Sequence, residues 1–445
     1  MELLRGKRKN NCIDWLLFFL ALTSTMPIVS IMVMNRTISI FTILLPVCII
    51  ALLIRVSCIR LQYEPVQICF LAFLLLSLLC IVFGLFFFSG NKDFAGVGKS
   101  YISKVVIYIL FAFLLFGIND YHMISMMAKG LLYGAILNLI WAALDGLIFY
   151  VTGVSITNTI FAYYIKANDT RMGMISLVLS RTSIRVGGFN SDPAHIGILA
   201  PFIFSYSLLC GKKHMLIYVA LAILMSQSVT AVVACVLLLF LIALIKPEYL
   251  KIAIGLSITG IVLIVLLLVT PLGSFAEPII SRITAKLGPD SVESARKIYN
   301  FHFLEAAIAA PVQTLLGTGF GTASYPFIAA GLLTPDKGAF DPENTYISYL
   351  FDTGIIGMVL YIVILCYILK RTCFCIKSNQ NREISMILFS GAGAIAIASF
   401  LYHYIVFATI MMSLIAGCAF IGYLGTGRGK LQTVLSGTFN ENGLK

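Results

Sequence analysis

The sequence predicts an all-α, multi-pass membrane protein of about twelve transmembrane helices, with two long extracytoplasmic loops and short tails. Three observations carry this reading. Of the 445 residues, 60% are hydrophobic and only 11% charged, with a mean hydropathy of +0.99; soluble domains are about half apolar and a quarter charged. Apolar runs of roughly 20 residues, enough to cross a hydrocarbon layer ~30 Å thick, recur from Leu16 to Leu424. No polar stretch is long enough to bury a separate soluble core of the usual ~100 residues or more.

In chain order the apolar runs predict spans at Leu16 to Met34, Ile38 to Ile54, Val66 to Phe88, Tyr101 to Ile118, Gly130 to Val151 and Ala194 to Cys210. Six more follow: His214 to Met225, Val229 to Ile245, Ile252 to Thr270, Thr345 to Leu369, Ile384 to Phe400 and Tyr404 to Leu424. The run from His214 to Ile245 is too long for one ordinary span and is interrupted by Ser226, Gln227, Ser228 and Thr230. Splitting it puts Lys212 and Lys213 on the same, cytoplasmic side as Lys246 and Lys251, in keeping with the positive-inside rule. Both termini then lie inside. The organisation expected is a tail over residues 1–14, a membrane domain over 15–424 and a tail over 425–445. Arg5, Lys7, Arg8 and Lys9 precede a long apolar run with no small-residue cleavage site after it, which predicts an uncleaved first helix.

The net charge of +12 is scattered between apolar runs instead of gathered on one soluble face, so no nucleic-acid partner is expected. The eleven cysteines fall in apolar spans or in segments placed on the cytoplasmic side, and no disulfide framework is expected. Cys373 and Cys375 form a C-x-C pair without the second half of a zinc site. No Asp-x-Asp stands in an outer loop to hold a divalent cation, so neither metal nor cofactor is expected.

Four arginines depart from the inside bias: Arg181, Arg185, Arg282 and Arg296 lie in the two long outer loops, about 152–193 and 271–344. Both loops exceed the length at which structureless connections become uncommon. In the second, Asp290 and Glu293 have capping-box spacing, and Val292, Ala295, Tyr299, His302 and Ala306 keep a helical rhythm. This predicts an amphipathic helix on the membrane surface that ends at Pro311, with Arg296 near its start.

The stretch Arg181-Thr-Ser-Ile-Arg185-Val-Gly-Gly-Phe-Asn190-Ser-Asp192-Pro-Ala-His195 has an anion-binding composition. Guanidinium groups offer forked donors to phosphate oxygens, and Gly187 with Gly188 lets backbone approach a ligand. The bland reading is a capped loop, with Asp192 as N-cap, Pro193 at the first helical position and His195 a packing residue. The second stretch runs through Arg296 and Gly317-Thr-Gly-Phe-Gly321 to Asp341-Pro-Glu343-Asn344-Thr-Tyr346. The glycine cluster follows no strand of a βαβ unit and precedes no Gly-Lys-Ser/Thr, so it is read as turn residues. Arg55 and Asp145 sit near span ends, where water can reach them, and are assigned no role.

Together the two stretches resemble the signatures of the O-antigen polymerase and ligase superfamily: an Arg-x-Gly-Gly-Phe-x-x-Asp-Pro-like segment before one helix, then an outer-loop Arg, a Gly-x-Gly-x-Gly turn and a His-Asn-x-Tyr-like element. The resemblance spans roughly Arg181 to Leu369. Where many relatives carry His, this chain has Glu343, which favours a polymerase over a ligase.

The resemblance implies inverting, metal-independent glycosyl transfer between undecaprenyl-pyrophosphate-linked repeat units at the outer face of the bacterial cytoplasmic membrane, making O-antigen or capsule polysaccharide. The partners it implies are those lipid-linked units, membrane lipid and a chain-length regulator protein. Arg185 and Arg296 would meet the leaving pyrophosphate, and Glu343 would act as general base, with Asp192 and His195 next in line. Arg181, Arg282, Asn190, Asn344 and Tyr346 would bind substrate. The alternatives are a ligase delivering glycan to lipid A core, and a transporter or flippase of lipid-linked oligosaccharide. A transporter favours mid-membrane charges in matching halves, whereas here the polar chemistry is concentrated in two loops after residue 150.

Overall fold

The computed structural model describes residues 12–33, 36–55, 64–88, 94–118, 120–161, 174–178, 181–190, 195–226, 228–269, 307–308, 311–317, 319, 344–401 and 407–425. The first half contains α1 (Cys12–Ser24), a hairpin of β1 (Ser30–Val33) and β2 (Arg36–Ser39), α2 (Ile40–Arg55), α3 (Pro65–Phe88), α4 (Phe94–Gly117), α5 (Tyr121–Thr152) and α6 (Ile156–Ile160). A second hairpin, β3 (Met174–Val178) with β4 (Arg181–Arg185), leads to α7 (Ile196–Cys210), α8 (Met215–Ser226), α9 (Val229–Ala243) and α10 (Glu248–Val269). Last come α11 (Pro311–Leu316), α12 (Thr345–Asp352), α13 (Gly354–Lys377), α14 (Arg382–Leu401) and α15 (Phe407–Gly425).

This is an all-α, polytopic integral membrane protein. Among the described residues, five helices are long and apolar enough to cross a bilayer by themselves, among them α5, α13, α14 and α15, and shorter apolar helices fill in between. Every span read from the sequence has a helical counterpart, with two notable differences.

The first helix stops at Ser24 instead of reaching Met34. The hydroxyls of Thr23, Ser24 and Thr25 bond back to the carbonyls of Phe19, Ala21 and Leu22, at 2.8, 2.6 and 2.8 Å. Such back-bonding loosens a helix end, and Pro27 then prevents its continuation. The span expected from Thr345 to Leu369 is broken at Thr353, where α12 ends and Gly354 opens α13 with φ of 70°. Pro311 opens a short helix of its own: its ring suits the first helical position, where no amide hydrogen is needed.

The run from 215 to 243 is a reversing pair. Lys246 Nζ bonds Leu208 O at 3.0 Å beside one end of α7, whereas Gly197, at its other end, faces Thr230. The ends of α8 and α9 that carry Lys212, Lys213 and Lys246 therefore lie together.

Helix α5 organises the first half. Asp120 caps it by accepting from His122 N at 3.2 Å, and Gly153, with φ of 73°, closes it through a bond from its N–H to Phe149 O at 2.8 Å. Its 32 residues rise about 48 Å, well beyond the ~30 Å hydrocarbon layer. Helix α1 packs directly on it, because Gly130 and Gly134 carry no side chain: a Cβ at Gly130 would strike Phe18 O, and one at Gly134 would lie 2.8 Å from Leu22 O. In the second half, the buried rings of Tyr349, Tyr361 and Phe73 tie α12, α13 and α3 together, with centroids of the two tyrosines 4.5 Å apart.

Candidate active site

Strand β4 carries Arg181 and Arg185, paired with Val178 and Met174 of β3. The chain then turns through Gly187 and Gly188 into the helical bundle. At the turn it meets Asn138 of α5, which is fully buried. Asn138 Oδ1 accepts from Phe189 N and from Asn190 Nδ2, each at 2.9 Å. Its Nδ2 donates to Gly134 O at 3.0 Å and to Thr25 O at 2.9 Å. Gly188 is obligatory here, since its φ is 68° and a Cβ would lie 2.8 Å from Asn138 O. Backbone bonds complete the seat: Ile28 N reaches Phe189 O at 3.3 Å, and Val186 N reaches Met225 O at 3.4 Å.

An apolar cover lies over this turn. The Phe189 ring stacks on Trp141, with centroids 4.8 Å apart and an interplanar angle of 20°, and meets Phe161 edge-on. Trp141 Nε1 donates to Thr157 Oγ1 at 2.9 Å. Asp145 is buried and accepts from Ser155 Oγ at 3.1 Å and Thr157 N at 3.2 Å. Its carboxylate is thus satisfied by the folded-back segment around α6, not by water at a span end as the sequence suggested.

The second segment is seated differently. Gly319 N bonds Asp352 O at 2.9 Å, and Cys80 Sγ bonds Leu316 O at 2.9 Å. Gly317 and Gly354 both have positive φ, 77° and 70°, and lie against one another. A Cβ on Gly317 would come within 2.6 Å of Gly354 N, and one on Gly354 would strike Leu315 O. The turn glycines therefore sit in the helix break between α12 and α13. Asn344 caps α12, accepting from Tyr346 N at 2.9 Å and Ile347 N at 3.2 Å, while its Nδ2 donates to Phe400 O at 2.8 Å. Tyr346 OH donates to Ala396 O at 2.8 Å. Both side chains fasten the start of α12 to the end of α14.

These seats lie at one end of the bundle. Asn344 touches the end of α14, α15 begins a few residues later, and Thr409 Oγ1 of α15 donates to Ser24 O at 2.8 Å. Ser24 adjoins Thr25, whose carbonyl takes the Asn138 bond.

The residues singled out from sequence divide as follows. Asn190 is buried; its Nδ2 is shared between Asn138 Oδ1 and Gly187 O, and its Oδ1 accepts no hydrogen bond among the described residues. His195 is buried in the N-cap position of α7, with no side-chain cap bond. Helix α7 proper starts at Ile196, and the expected cap and first helical position, Asp192 and Pro193, lie outside the described residues. Arg181 and Arg185 are placed by their backbone on β4. Asp192, Arg282, Arg296 and Glu343, and most of the expected amphipathic helix, lie outside the described residues. Asn138 was missed. Its position, at the end of the Gly130-x-x-x-Gly134-x-x-x-Asn138 series on one face of α5, was the available signal.

Residues 214–362 match the Wzy_C family, described as O-antigen ligase. The matched region runs from the start of α8 into α13 and so includes the second segment, whereas the first lies before it. No curated protein matches the chain.

Proposed function

We propose, supported by the match over residues 214–362, that this chain is a member of the O-antigen polymerase and ligase superfamily and, within it, a polysaccharide polymerase of the cell envelope. The family's chemistry is glycan transfer of the O-antigen ligase and polymerase type, which makes the chain a glycosyltransferase-like membrane enzyme acting on lipid-linked glycans. Within that class, the proposed reaction joins undecaprenyl-pyrophosphate-linked repeat units at the outer face of the cytoplasmic membrane. A hydroxyl of one repeat attacks the anomeric carbon of the sugar on another carrier. The sugar–phosphate bond breaks with inversion, the new glycosidic bond forms, and the pyrophosphate leaves on its lipid.

One observation supports this reading above the others: both signature segments are anchored at the same end of the bundle, although more than a hundred residues separate them. A transfer between two lipid-linked substrates requires cationic groups for the leaving pyrophosphate and a base for the attacking hydroxyl within one site at the membrane surface. In this proposal Arg185 and Arg296 meet the pyrophosphate, with Arg181 and Arg282 as further cationic contacts. Glu343 takes the hydroxyl proton, with Asp192 and His195 the next candidates. Asn190 Oδ1 is a buried acceptor suited to a sugar hydroxyl. Asn344 and Tyr346, committed to internal bonds, hold the start of α12 from which Glu343 precedes.

The discriminating measurement is the pool of lipid-linked glycan in cells lacking the protein. Single repeats on the carrier are expected for a polymerase; finished polymer left on the carrier would instead identify a ligase. Sidedness is tested with cysteines at Ala167 and Lys337 in a background without other reactive thiols. Both should react with an impermeant reagent from outside, and protection of one alone would separate the two loops and dismantle the shared site. Elongation should also persist in EDTA, and its loss would introduce a metal.

A further inference from the structure

Asn138 belongs to neither signature segment, yet it makes the most completely bonded side-chain amide in this part of the protein. An amide has two N–H donors and an oxygen that takes two bonds. At Asn138 all four places are filled: Thr25 O and Gly134 O take the donors, and Phe189 N and Asn190 Nδ2 fill the oxygen. Helix-interior asparagine is costly in an apolar bundle, and a fully satisfied polar group there fixes one arrangement of the elements it joins.

The direction of the amide follows from its neighbours. Thr25 O and Gly134 O are carbonyl oxygens and only accept, so the Asn138 nitrogen must face them. Its oxygen therefore faces the turn, where the Phe189 N–H can only donate. Asn190 must then turn its own nitrogen toward Asn138, which leaves Asn190 Oδ1 as an acceptor with no hydrogen bond among the described residues. Polarity is thus handed from the end of α1, through α5, to the segment that follows Arg185.

We infer that Asn138 is a positioning residue of the transferase site: it seats the segment carrying Arg185 and fixes Asn190 as a hydrogen-bond acceptor, suited to a hydroxyl-bearing sugar. This rests on the function proposed above. Asn138 acts through the turn and does not touch substrate, so its effect should depend on Arg185.

The test compares Asn138→Ala in the wild-type and Arg185→Lys backgrounds, reading polymer elongation on the endogenous carrier-lipid pool of membranes with the outer envelope permeabilised. Misplacement of a reacting group by about 1 Å costs up to ~100-fold in rate, and a loss of that order is expected for Asn138→Ala. In the Arg185→Lys background the further loss should shrink several-fold; losses that simply multiply would mean a role independent of the turn and would overturn the inference. Hydrogen exchange of the purified protein in nanodiscs supplies a second readout. The Phe189 amide should exchange faster in Asn138→Ala while α1 and α5 stay protected, and an unchanged Phe189 amide would also overturn it.

Gly188→Ala attacks the same contact from the turn and leaves the bonds to Thr25 intact, so it decides the matter if Asn138→Ala does not accumulate. A similar elongation loss is expected, and elongation within about 3-fold of wild type would refute the seat's role. Full elongation by the Arg185→Lys and Arg185→Ala proteins would instead remove Arg185 from the site, a failure of the functional reading that the exchange result identifies separately.

Discussion

The two signature segments are fixed by opposite means. The first is held by a side chain of matched polarity, since Asn138 supplies both the acceptor for Phe189 and Asn190 and the donors for α1. The second is held by the absence of side chains, with Gly317 and Gly354 bringing backbone onto backbone inside a broken helix. The first seat therefore depends on hydrogen-bond direction and the second on free volume. Substitutions should fail for different reasons in the two places, although both would disturb a single reaction.

The largest effect expected is at Glu343, just before the second seat. Removal of a general base costs 10²–10⁴-fold, so Glu343→Gln should yield almost no polymer and an accumulation of single lipid-linked repeats. A carboxylate that merely favours a helix N-terminus contributes under about 1 kcal/mol, and near-normal polymer from the Gln protein would assign Glu343 that lesser part.

Next are Arg185→Ala and Arg296→Ala, one from each segment. Loss of a group that stabilises the leaving charge costs ~10²–10³-fold, with the protein still present in the membrane. Lysine at either position should recover only part of the rate, because the planar fork is gone. Normal polymer from one alanine protein would show that the two segments do not share the leaving group.

Gly354→Ala sharpens the contrast in packing. Positive φ costs a non-glycine residue roughly 1–3 kcal/mol, and here the Cβ also meets Leu315 O, so a fall in thermal midpoint is expected. Gly153→Ala provides the control, since Gly153 shares the backbone angle but has nothing within 4 Å of a Cβ. Equal destabilisation of the two proteins would argue against a volume-limited second seat. The smallest effect expected is that of Asn344→Ala, about 1 kcal/mol for a lost cap. A large loss of elongation without a loss of stability would move Asn344 from support to substrate contact.

Much of the fold was legible from the apolar runs, because burial in lipid demands long hydrophobic helices whatever the tertiary arrangement. The polar break at Ser226 to Thr230 and the flanking lysines announced the α8–α9 reversal. Hydropathy could not show that α1 ends at Ser24, since Ile28, Ile31 and Met32 are as apolar as the helix before them; the Thr-Ser-Thr-Met-Pro series was the relevant sign. The helix break at Gly354 was hidden for the same reason. In the site, the segment near Arg185 was visible by composition, but its anchor lies some fifty residues earlier in the chain. Only a facing contact reveals that Asn138 and Gly188 belong together.

Helix α8 has 12 residues and so rises about 18 Å, against a hydrocarbon layer of ~30 Å. Ile217 and Leu224 on it are exposed, at 61% and 66%. If α8 crosses the bilayer, lipid tails beside it would have to shorten or tilt to meet it, and a dip at the end where Met225 supports the turn after Arg185 would lie beside the proposed site. A carrier lipid diffusing past that dip would bring its head group nearer the bundle interior than it can come elsewhere. Bilayer thickness would thereby become a determinant of how readily the proposed substrate arrives, one set by the length of a single helix and independent of any residue that touches sugar.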